Sequence, residues 1–395
     1  MADIGPIHCG EYGIDIDQYE PVVIAQAHGR VHYLGEHGEP GHGLFLSSAI
    51  DRSVRVAVSA RKDASLRFYA ADFGERKRTT LVNFRYKRED RWANFIKVAI
   101  HIFIKLNFVT KGLNFTITGT IPQHIGLASS QAIEIASALA LRAFFGVSMS
   151  DRELLDRLAA AHEFFFEKSA PIVDYAVTLF AQKDHFLVVD EPTLEIKQVK
   201  INLSSYKILI MDARVPRIPI DEELEERQEA IKKGLEVLSH KRTGTTFREY
   251  VTVDMLQFTG ALSEEIRRRS THIIQELRRI PEAVQALESA DQQALSKIIQ
   301  HSHESLRDQY EVSCPEIDWL VKRAQEIDGV LGSRMTGHGF GGCTYTIIRE
   351  NAVSEFKRRL EDYERIFGFH PIIYEVKPGD GARVITEHCV ERISN

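Results

Sequence analysis

The glycines of residues 336–343, TGHGFGGC, are the feature of the sequence that points most directly to a binding site. Four of them fall within six residues, directly before a predicted strand at 344–348. They are Gly337, Gly339, Gly341 and Gly342. A plain tight turn, the alternative interpretation, needs only one or two glycines, and each further glycine costs backbone entropy. The density therefore favours a backbone that must lie close against a ligand or another loop.

Residues 122–132, PQHIGLASSQA, combine the end of a predicted strand, a turn of small residues and the start of an apolar helix. The free backbone N–H groups and the positive dipole end of such a helix face the turn, where small residues let a polyphosphate approach. No lysine follows, so the segment is not a G-x-x-x-x-G-K-[ST] loop. The sequence therefore indicates a phosphate-binding turn, with a serine-capped helix that binds nothing as the alternative.

Residues 27–43, AHGRVHYLGEHGEPGHG, crowd polar side chains among glycines at the end of an apolar strand. The residues that stand out are Arg30, Glu36, His37 and Glu39. Loops of this composition display polar groups to a ligand, although an isolated arginine forms a surface ion pair by default. A metal site at His32, His37 and His42 is a further alternative, but their spacing of five does not stack them on one helix face and no cysteine joins them.

Asp174 follows Pro171 in the apolar segment 170–175, APIVDY. A carboxylate in such surroundings is partly removed from water, which raises its pKa and suits a general base. A helix-capping aspartate is the alternative interpretation.

Periodicity predicts a mixture of strands and helices that must position these segments. The predicted strands cover 22–25, 53–60, 66–71, 113–121, 186–190, 207–212, 344–348 and 372–376. The predicted helices cover 129–145, 150–166, 222–238, 263–279, 291–308, 316–327 and 353–366. The class is α+β, and the polar stretch near 202–205 divides the chain into predicted domains at 1–205 and 206–395.

Length and composition agree with two globular domains. The 395 residues are 44% apolar and 27% charged, and the net charge of −6 provides no basic field for nucleic acid. No secretory signal and no uncharged apolar run of membrane-spanning length is visible, so we expect a cytoplasmic protein without a membrane partner. Cys9, Cys314, Cys343 and Cys389 form no C-x-x-C pair and are predicted to be free thiols.

Taken together, the three segments resemble the signature motifs of the GHMP kinases, and the galactokinase branch of that family fits best. The branch carries approximately GRVNLIGEHTDYNGG, where this chain has GRVHYLGEHGEPGHG. Its second motif, PxGxGLSSSAA, compares with PQHIGLASSQA, and its third, GxRMTGxGFGGC, with GSRMTGHGFGGC. Similar texture continues between the motifs, so the resemblance covers nearly the whole chain.

The resemblance implies an N-terminal domain of ribosomal-protein-S5 type and a ferredoxin-like C-terminal domain, with sugar and ATP in the cleft between them. It implies phosphorylation of the anomeric hydroxyl of a monosaccharide, galactose first of all, with Mg²⁺ as cofactor. Arg30 would then stabilise the developing phosphoryl charge, and Asp174 would contact the sugar and accept or orient its hydroxyl proton. Such a kinase is expected to be a monomer.

By motif position, the resemblance also implies binding residues. Those for the sugar are Glu36, His37, Glu39 and Asp174. Those for ATP are Gly126, Leu127, Ala128, Ser129, Ser130, Gln131, Gly337 and Gly339. Ser130 and His162 fall where the family holds magnesium, although imidazole is a poor ligand for a hard cation that prefers oxygen.

The chain departs from the family pattern at several of these positions. It has Glu39, His124, Gln131, His162, Ala170, Pro171, Tyr175 and Leu224, where the family expects Asp, Gly, Ala, Glu, Cys, Gly, Gln and Tyr. Changes on the sugar side, at Pro171 and Leu224 among others, favour the alternative of a kinase for another sugar or a polyol. Those at His124 and His162 favour a sensor that binds sugar and ATP without catalysis.

Overall fold

The computed structural model of the chain describes residues 3–14, 21–38, 43–216, 220–241, 244–257 and 260–386. Glu39 and His42 of the first polar segment lie outside the described residues, and so does Cys389. The other three cysteines are free thiols, as predicted. In the described part of the chain, no helix is both long enough and apolar enough to cross a membrane.

The first half of the chain forms most of an eight-stranded sheet. Its strands are β1 (Val23–Leu34), β2 (Leu44–Ala60), β3 (Ser65–Ala70), β4 (Glu75–Thr80), β5 (Leu113–Gly119), β6 (His185–Asp190), β7 (Glu195–Lys200) and β12 (Arg383–Thr386). The order is β12-β1-β2-β5-β3-β4, while β6 pairs with the first part of β2 and β7 with β6. The long strands β1 and β2 form an antiparallel ladder that places Arg30 opposite Ala49 and His32 opposite Ser47.

Five helices accompany this sheet. They are α1 (Ile4–Tyr12), α2 (Ala93–Lys105), α3 (Ser129–Phe144), α4 (Asp151–Phe166) and α5 (Ile172–Phe180). Helix α3 is apolar almost all round and buries residues 132–141 against β1 and β2. Its first turn therefore points at a fixed place on the sheet, beside the middle of β1.

The second half forms a four-stranded antiparallel sheet with order β11-β8-β10-β9. Its strands are β8 (Tyr206–Asp212), β9 (Val330–Thr336), β10 (Cys343–Arg349) and β11 (Ile372–Val376). The helices are α6 (Asp221–Lys241), α7 (Thr252–Gln257), α8 (Glu264–Glu288), α9 (Gln292–Ser305), α10 (Pro315–Gln325) and α11 (Val353–Phe367). A π-helical turn at Leu306–Tyr310 follows α9, and the glycine-rich segment is the hairpin loop between β9 and β10.

One apolar cluster extends across both halves. It runs from β1 and β2 through α3 to Ile208, Tyr345 and Ile347 of the second sheet. A second cluster lies within the second half of the chain. Strand β12 returns from the second half to pair with β1. The predicted boundary at 205/206 immediately precedes β8, but it stays a prediction.

The α+β class predicted from the sequence is confirmed, as are the predicted elements with an apolar stripe or alternation. The structure differs around residues 27–34, which were expected to be loop and which continue β1 as far as Leu34. Arg30 and His32 are therefore strand residues whose side chains share one face. The elements that had not been predicted are the helices α1, α2, α5 and α7 and the strands β4, β7, β9 and β12.

Candidate active site

A buried ion pair between Arg30 and Asp174 forms the centre of the candidate site. Nε of Arg30 lies 2.6 Å from Oδ1 of Asp174, and Nη2 lies 2.9 Å from Oδ2. Both side chains are about nine-tenths buried, at 6% and 11% exposed. This two-pronged geometry is the strongest form of a charge-assisted hydrogen bond. It contradicts the default interpretation of Arg30 as a surface ion pair.

Asp174 lies in the first turn of α5 and does not cap that helix. The N-cap position is Pro171, and no side chain caps the turn there. The expected increase in the pKa of Asp174 is also wrong. Burial by itself raises the pKa, but the charge of Arg30 and the hydrogen bond from His32 outweigh burial and hold the pKa well below its ordinary value. Asp174 is therefore an anion throughout the physiological range.

His32 also contacts the carboxylate of Asp174. Its Nε2 lies 3.0 Å from Oδ1 of Asp174, and its Nδ1 lies 2.6 Å from Oγ of Ser47. Burial and the charge of Arg30 lower the pKa of His32. The alternative metal site at His32, His37 and His42 gains no support, since no three His, Cys, Asp or Glu side chains of the described residues could hold a metal ion.

The predicted phosphate turn, Gly126 to Gln131, lies directly against Arg30. The backbone N–H of Arg30 donates to Leu127 O at 3.1 Å, and Nη1 of Arg30 donates to Gly126 O. Helix α3 begins at Ser129 after Ala128, whose φ of 58° is left-handed, and no side chain caps the helix. The serine-capped alternative is therefore wrong. The first N–H groups of α3 are left for another acceptor.

Gly126 of this turn faces Gly337 of the glycine-rich loop. A Cβ placed on Gly126 would lie 3.5 Å from the Cα of Gly337, and both glycines have positive φ, at 84° and 94°. Gly339 is more confined, because a Cβ there would lie 2.5 Å from Val312 O. The prediction that this loop lies close against another backbone is confirmed. The two motifs, more than 200 residues apart, thus lie in contact with each other.

Glu36 is held by side-chain and backbone groups of β9 and the glycine-rich loop. Its Oε2 lies 2.5 Å from Nη1 of the fully buried Arg334, and its Oε1 accepts from Thr336 Oγ1 at 3.1 Å and from Gly337 N. Arg334 also pairs with Glu276 of α8, at 3.2 Å. Glu36 therefore ties the end of β1 to the glycine-rich loop. No local pattern in the sequence indicated that Glu36 would pair with Arg334, or Arg334 with Glu276.

His37 is buried next to Glu36, and its ring packs on Tyr310 with the centroids 4.8 Å apart. Burial, and then the neighbouring His338 and His272, hold the pKa of His37 well below its ordinary value. Its Nε2 has no hydrogen-bond partner among the described residues. A buried nitrogen without a partner is unusual, so His37 is suited to bind a ligand group.

His162 does not fit the magnesium position that the resemblance implied. Its Nδ1 lies 3.1 Å from Oε1 of Glu134 and 3.2 Å from the hydroxyl of Tyr175, which donates to Glu134. Burial raises the pKa of Glu134. Nδ1 is thus already bonded to two protein groups, and imidazole is in any case a poor ligand for Mg²⁺, which prefers oxygen. The neighbouring Glu163 is exposed on α4 and does not replace it.

Ser130 does fit a magnesium ion that is bound mainly through phosphates. It lies in the first turn of α3, at the phosphate turn. Mg²⁺ usually keeps several waters and binds through one or two protein oxygens and the substrate phosphates, so one hydroxyl at this place is a suitable ligand.

Family models match three parts of the chain. The model described as GHMP kinases N terminal domain matches residues 94–182, and that described as GHMP kinases C terminal matches 283–365. The galactokinase galactose-binding signature matches residues 14–60. These ranges contain the phosphate turn with Asp174, the whole glycine-rich loop, and Arg30 with Glu36.

Curated relatives align along nearly the whole chain. A putative galactokinase of Treponema pallidum is 35% identical over 390 residues, which is 98% of this chain and 97% of that protein. The galactokinase of Thermotoga maritima is 31% identical over 361 residues, or 91% of this chain and 99% of that protein.

Solved structures have the same fold. The galactokinase of Lactococcus lactis, in complex with galactose, gives a TM-score of 0.88 at 25% identity and covers 97% of this chain and 99% of that one. The mevalonate kinase of Methanococcus jannaschii gives a TM-score of 0.64 at 17% identity, which shows the fold alone. The predicted two-domain GHMP kinase fold is thereby confirmed, and the chain belongs to the galactokinase family of the GHMP kinases.

Proposed function

We propose that this chain transfers the γ-phosphoryl group of ATP to the anomeric hydroxyl of galactose and releases galactose 1-phosphate and ADP. One observation carries the proposal: the buried pair of Arg30 and Asp174 lies against the phosphate turn, where Arg30 Nη1 donates to Gly126 O. A cation and a carboxylate in contact beside a phosphate site are the two groups that phosphoryl transfer to a hydroxyl needs.

In this proposal Asp174 orients the sugar hydroxyl and receives its proton late in the reaction. An anion whose pKa is far below its ordinary value is a weak base. A loose phosphoryl-transfer transition state requires little deprotonation of the acceptor, so positioning matters more than basicity. Arg30, held by Asp174, neutralises charge that develops on the transferred group. His37 offers its unpartnered Nε2 to the sugar.

We propose that ATP binds beside the phosphate turn, where the glycine-rich loop contacts it. The N-terminal end of α3 supplies free N–H groups and a positive dipole end to the phosphates. Gly337 adds no side chain next to the turn. The proposed binding residues are Gly126, Leu127, Ala128, Ser129, Ser130, Gln131, Gly337 and Gly339.

Mg²⁺ is proposed as the cofactor, with Ser130 as its protein ligand. Ser130 would hold the ion, which would supply positive charge to neutralise the phosphates. The roles of Glu36 and Glu39 as sugar ligands also stay proposals, as do the domain boundary at 205/206, the monomeric state and the cytoplasmic location.

A coupled assay of ADP release tests the proposal. The protein is incubated with Mg²⁺, ATP and each of a panel of hexoses, pentoses and polyols. We expect turnover with galactose well above the ATPase background without sugar. Turnover with no member of the panel, from protein that is folded and binds ATP, would contradict any sugar-kinase function.

A second candidate, a kinase for another sugar or a polyol, is favoured by the neighbourhood of Asp174. Pro171 forms the N-cap of α5, three residues before Asp174, where the family pattern has glycine. Its ring restricts the backbone at the edge of the proposed sugar site. In the panel assay, this candidate predicts a higher kcat/KM for another acceptor than for galactose.

A further inference from the structure

We propose that His32, held by Ser47, is the positioning residue that turns the Asp174 carboxylate so that its Oδ2 faces the acceptor hydroxyl. The inference rests on the proposed phosphoryl transfer and deepens it. It concerns an imidazole for which the sequence pattern suggested only a metal site.

His32 joins two strands of the first sheet to α5. Its Nδ1 lies 2.6 Å from Oγ of Ser47, its cross-strand partner on β2, and its Nε2 lies 3.0 Å from Oδ1 of Asp174. The residue is 5% exposed, and the ring of Phe45 lies 5.3 Å away, centroid to centroid. Contacts at both nitrogens and on the ring fix the orientation of the imidazole.

The donors around Asp174 are distributed unequally between its two oxygens. Oδ1 accepts from Arg30 Nε at 2.6 Å and from His32 Nε2 at 3.0 Å, so both of its lone-pair directions are used. Oδ2 accepts from Arg30 Nη2 alone among the described residues, at 2.9 Å. A carboxylate oxygen accepts about two hydrogen bonds. Because His32 bonds to Oδ1, Oδ2 keeps a lone pair that can accept a hydrogen bond from the substrate hydroxyl.

The surrounding groups also fix the tautomer of His32. Because Asp174 is an anion, the proton must lie on Nε2, and Nδ1 must accept from the hydroxyl of Ser47. The charged groups that face the ring are Arg30 and Glu36 from β1 and the residues after it, and Asp174 from α5. Strand β2 contributes the uncharged Ser47. Burial and Arg30 lower the pKa of His32, so that the ring stays neutral.

Replacement of His32 by leucine tests the inference through a split between kcat and KM. Without the donor at Nε2, Arg30 alone holds the Asp174 carboxylate. The orientation of the carboxylate is then less fixed, and we expect kcat to fall by roughly 10- to 100-fold. The KM for ATP should stay close to that of the wild type.

His32→Gln is the conservative variant, because its amide N–H reaches about as far as Nε2 of histidine. It should restore part of kcat. Ser47→Ala, which removes only the donor to Nδ1, should lower kcat by a smaller factor. These two variants keep the test valid if His32→Leu does not fold.

His8→Leu is a matched control. His8 is also a buried histidine held between two hydroxyls, with Nδ1 at 2.8 Å from Thr116 Oγ1 and Nε2 at 2.9 Å from Ser59 Oγ. None of these contacts involves the candidate site. His8→Leu should therefore lower the thermal midpoint without a comparable loss of kcat.

The outcomes separate the inference from the proposed function. If the wild type phosphorylates no sugar, the proposed function fails. If the wild type is active and the His32 variants keep its kcat, or lower it no more than His8→Leu does, the inference is overturned. Nitrogen-15 NMR of histidine-labelled wild type, assigned by the resonances lost in His32→Gln, should show the neutral Nε2–H tautomer at pH 7.5; the Nδ1–H tautomer would also overturn it.

Discussion

Arg30 and Asp174 are 144 residues apart in sequence, yet both guanidinium–carboxylate contacts between them are shorter than 3 Å. The pair exists because β1 continues past its glycine and because α5 places its first turn beside that strand. The same arginine contacts Gly126 O in the phosphate turn. One side chain therefore connects the proposed acceptor site to the proposed ATP site.

Arg30→Lys should lower kcat by roughly 10²- to 10³-fold. Lysine keeps the charge, but a single ammonium cannot make the two parallel bonds to Asp174 and also reach Gly126 O. Arg76→Lys is the matched control, because Arg76 forms an equally two-pronged pair with Glu11 on the surface, at 2.6 Å for both bonds. Steady-state kinetics should show the loss for Arg30 alone; equal rates for the two variants would contradict the role of Arg30.

Gly126→Ala should raise the KM for ATP. The added methyl group strains a backbone with φ of 84° and narrows the space before Gly337. Gly74→Ala is the control, since Gly74 also has positive φ, at 61°, but a Cβ there meets nothing within 4 Å. Both variants should lose some thermal stability. A KM for ATP that is unchanged in Gly126→Ala would place the nucleotide elsewhere.

Glu36→Gln should destabilise the fold and weaken ATP binding together. It removes a charge from a buried pair and leaves Arg334 with Glu276 as its acidic partner, at a cost of up to about 3–5 kcal/mol. It also replaces the carboxylate that accepts from Gly337 N by a neutral amide, which is a weaker acceptor. Thermal unfolding with and without ATP measures both effects. Glu355→Gln, on a surface pair with Arg359, should leave the midpoint close to that of the wild type; a Glu36→Gln midpoint equally unchanged would exclude this role.

Stability should fall as the pH decreases from about 6.5, in part because His8 must stay neutral. Burial lowers the pKa of His8 to about 3, below the ordinary value of about 6.5 that it regains on unfolding. The contribution of His8 to the free energy of unfolding is fully present above its pKa in the unfolded chain. It is lost as the pH falls towards its pKa in the folded protein, at about 1.4 kcal/mol per pH unit. Denaturation at several pH values should show a shallower slope for His8→Gln, whereas replacing the exposed His240 should leave the slope unchanged.

The sequence predicted most of the elements whose periodicity is local. Helices α3, α4, α6 and α8 to α11 have an apolar stripe or a fully apolar surface that the spacing of residues reveals, whereas the amphipathic helix α2 was missed. Helix α5 is only nine residues long and follows a proline, so its pattern was too short to recognise. The predicted strand β1 was too short because Gly29 and the polar residues of 28–33 resemble a loop. In the structure, Arg30 and His32 are buried on one face of the strand.

Those residues of the candidate site that belong to the sequence motifs were predicted. Arg30, Asp174 and the facing glycines were named from the sequence, and the structure brings them together. Ser47, Arg334 and Glu276 were missed because their partners lie far away along the chain, and no local spacing reports such a contact. The sign of the pKa shift of Asp174 was wrong for the same reason: burial could be expected from its apolar neighbours, but the nearby Arg30 and His32 could not.

The most direct test of the central claim is phosphorus-31 and proton NMR of the product formed from galactose, ATP and Mg²⁺ by the wild type and by Asp174→Asn. The wild type should form a phosphomonoester whose phosphorus couples to the anomeric proton. Asp174→Asn should form none while calorimetry still detects galactose binding, because the variant keeps the shape of the side chain and loses its charge. A phosphate on another hydroxyl, no product from folded wild type, or wild-type rates from Asp174→Asn would contradict the account.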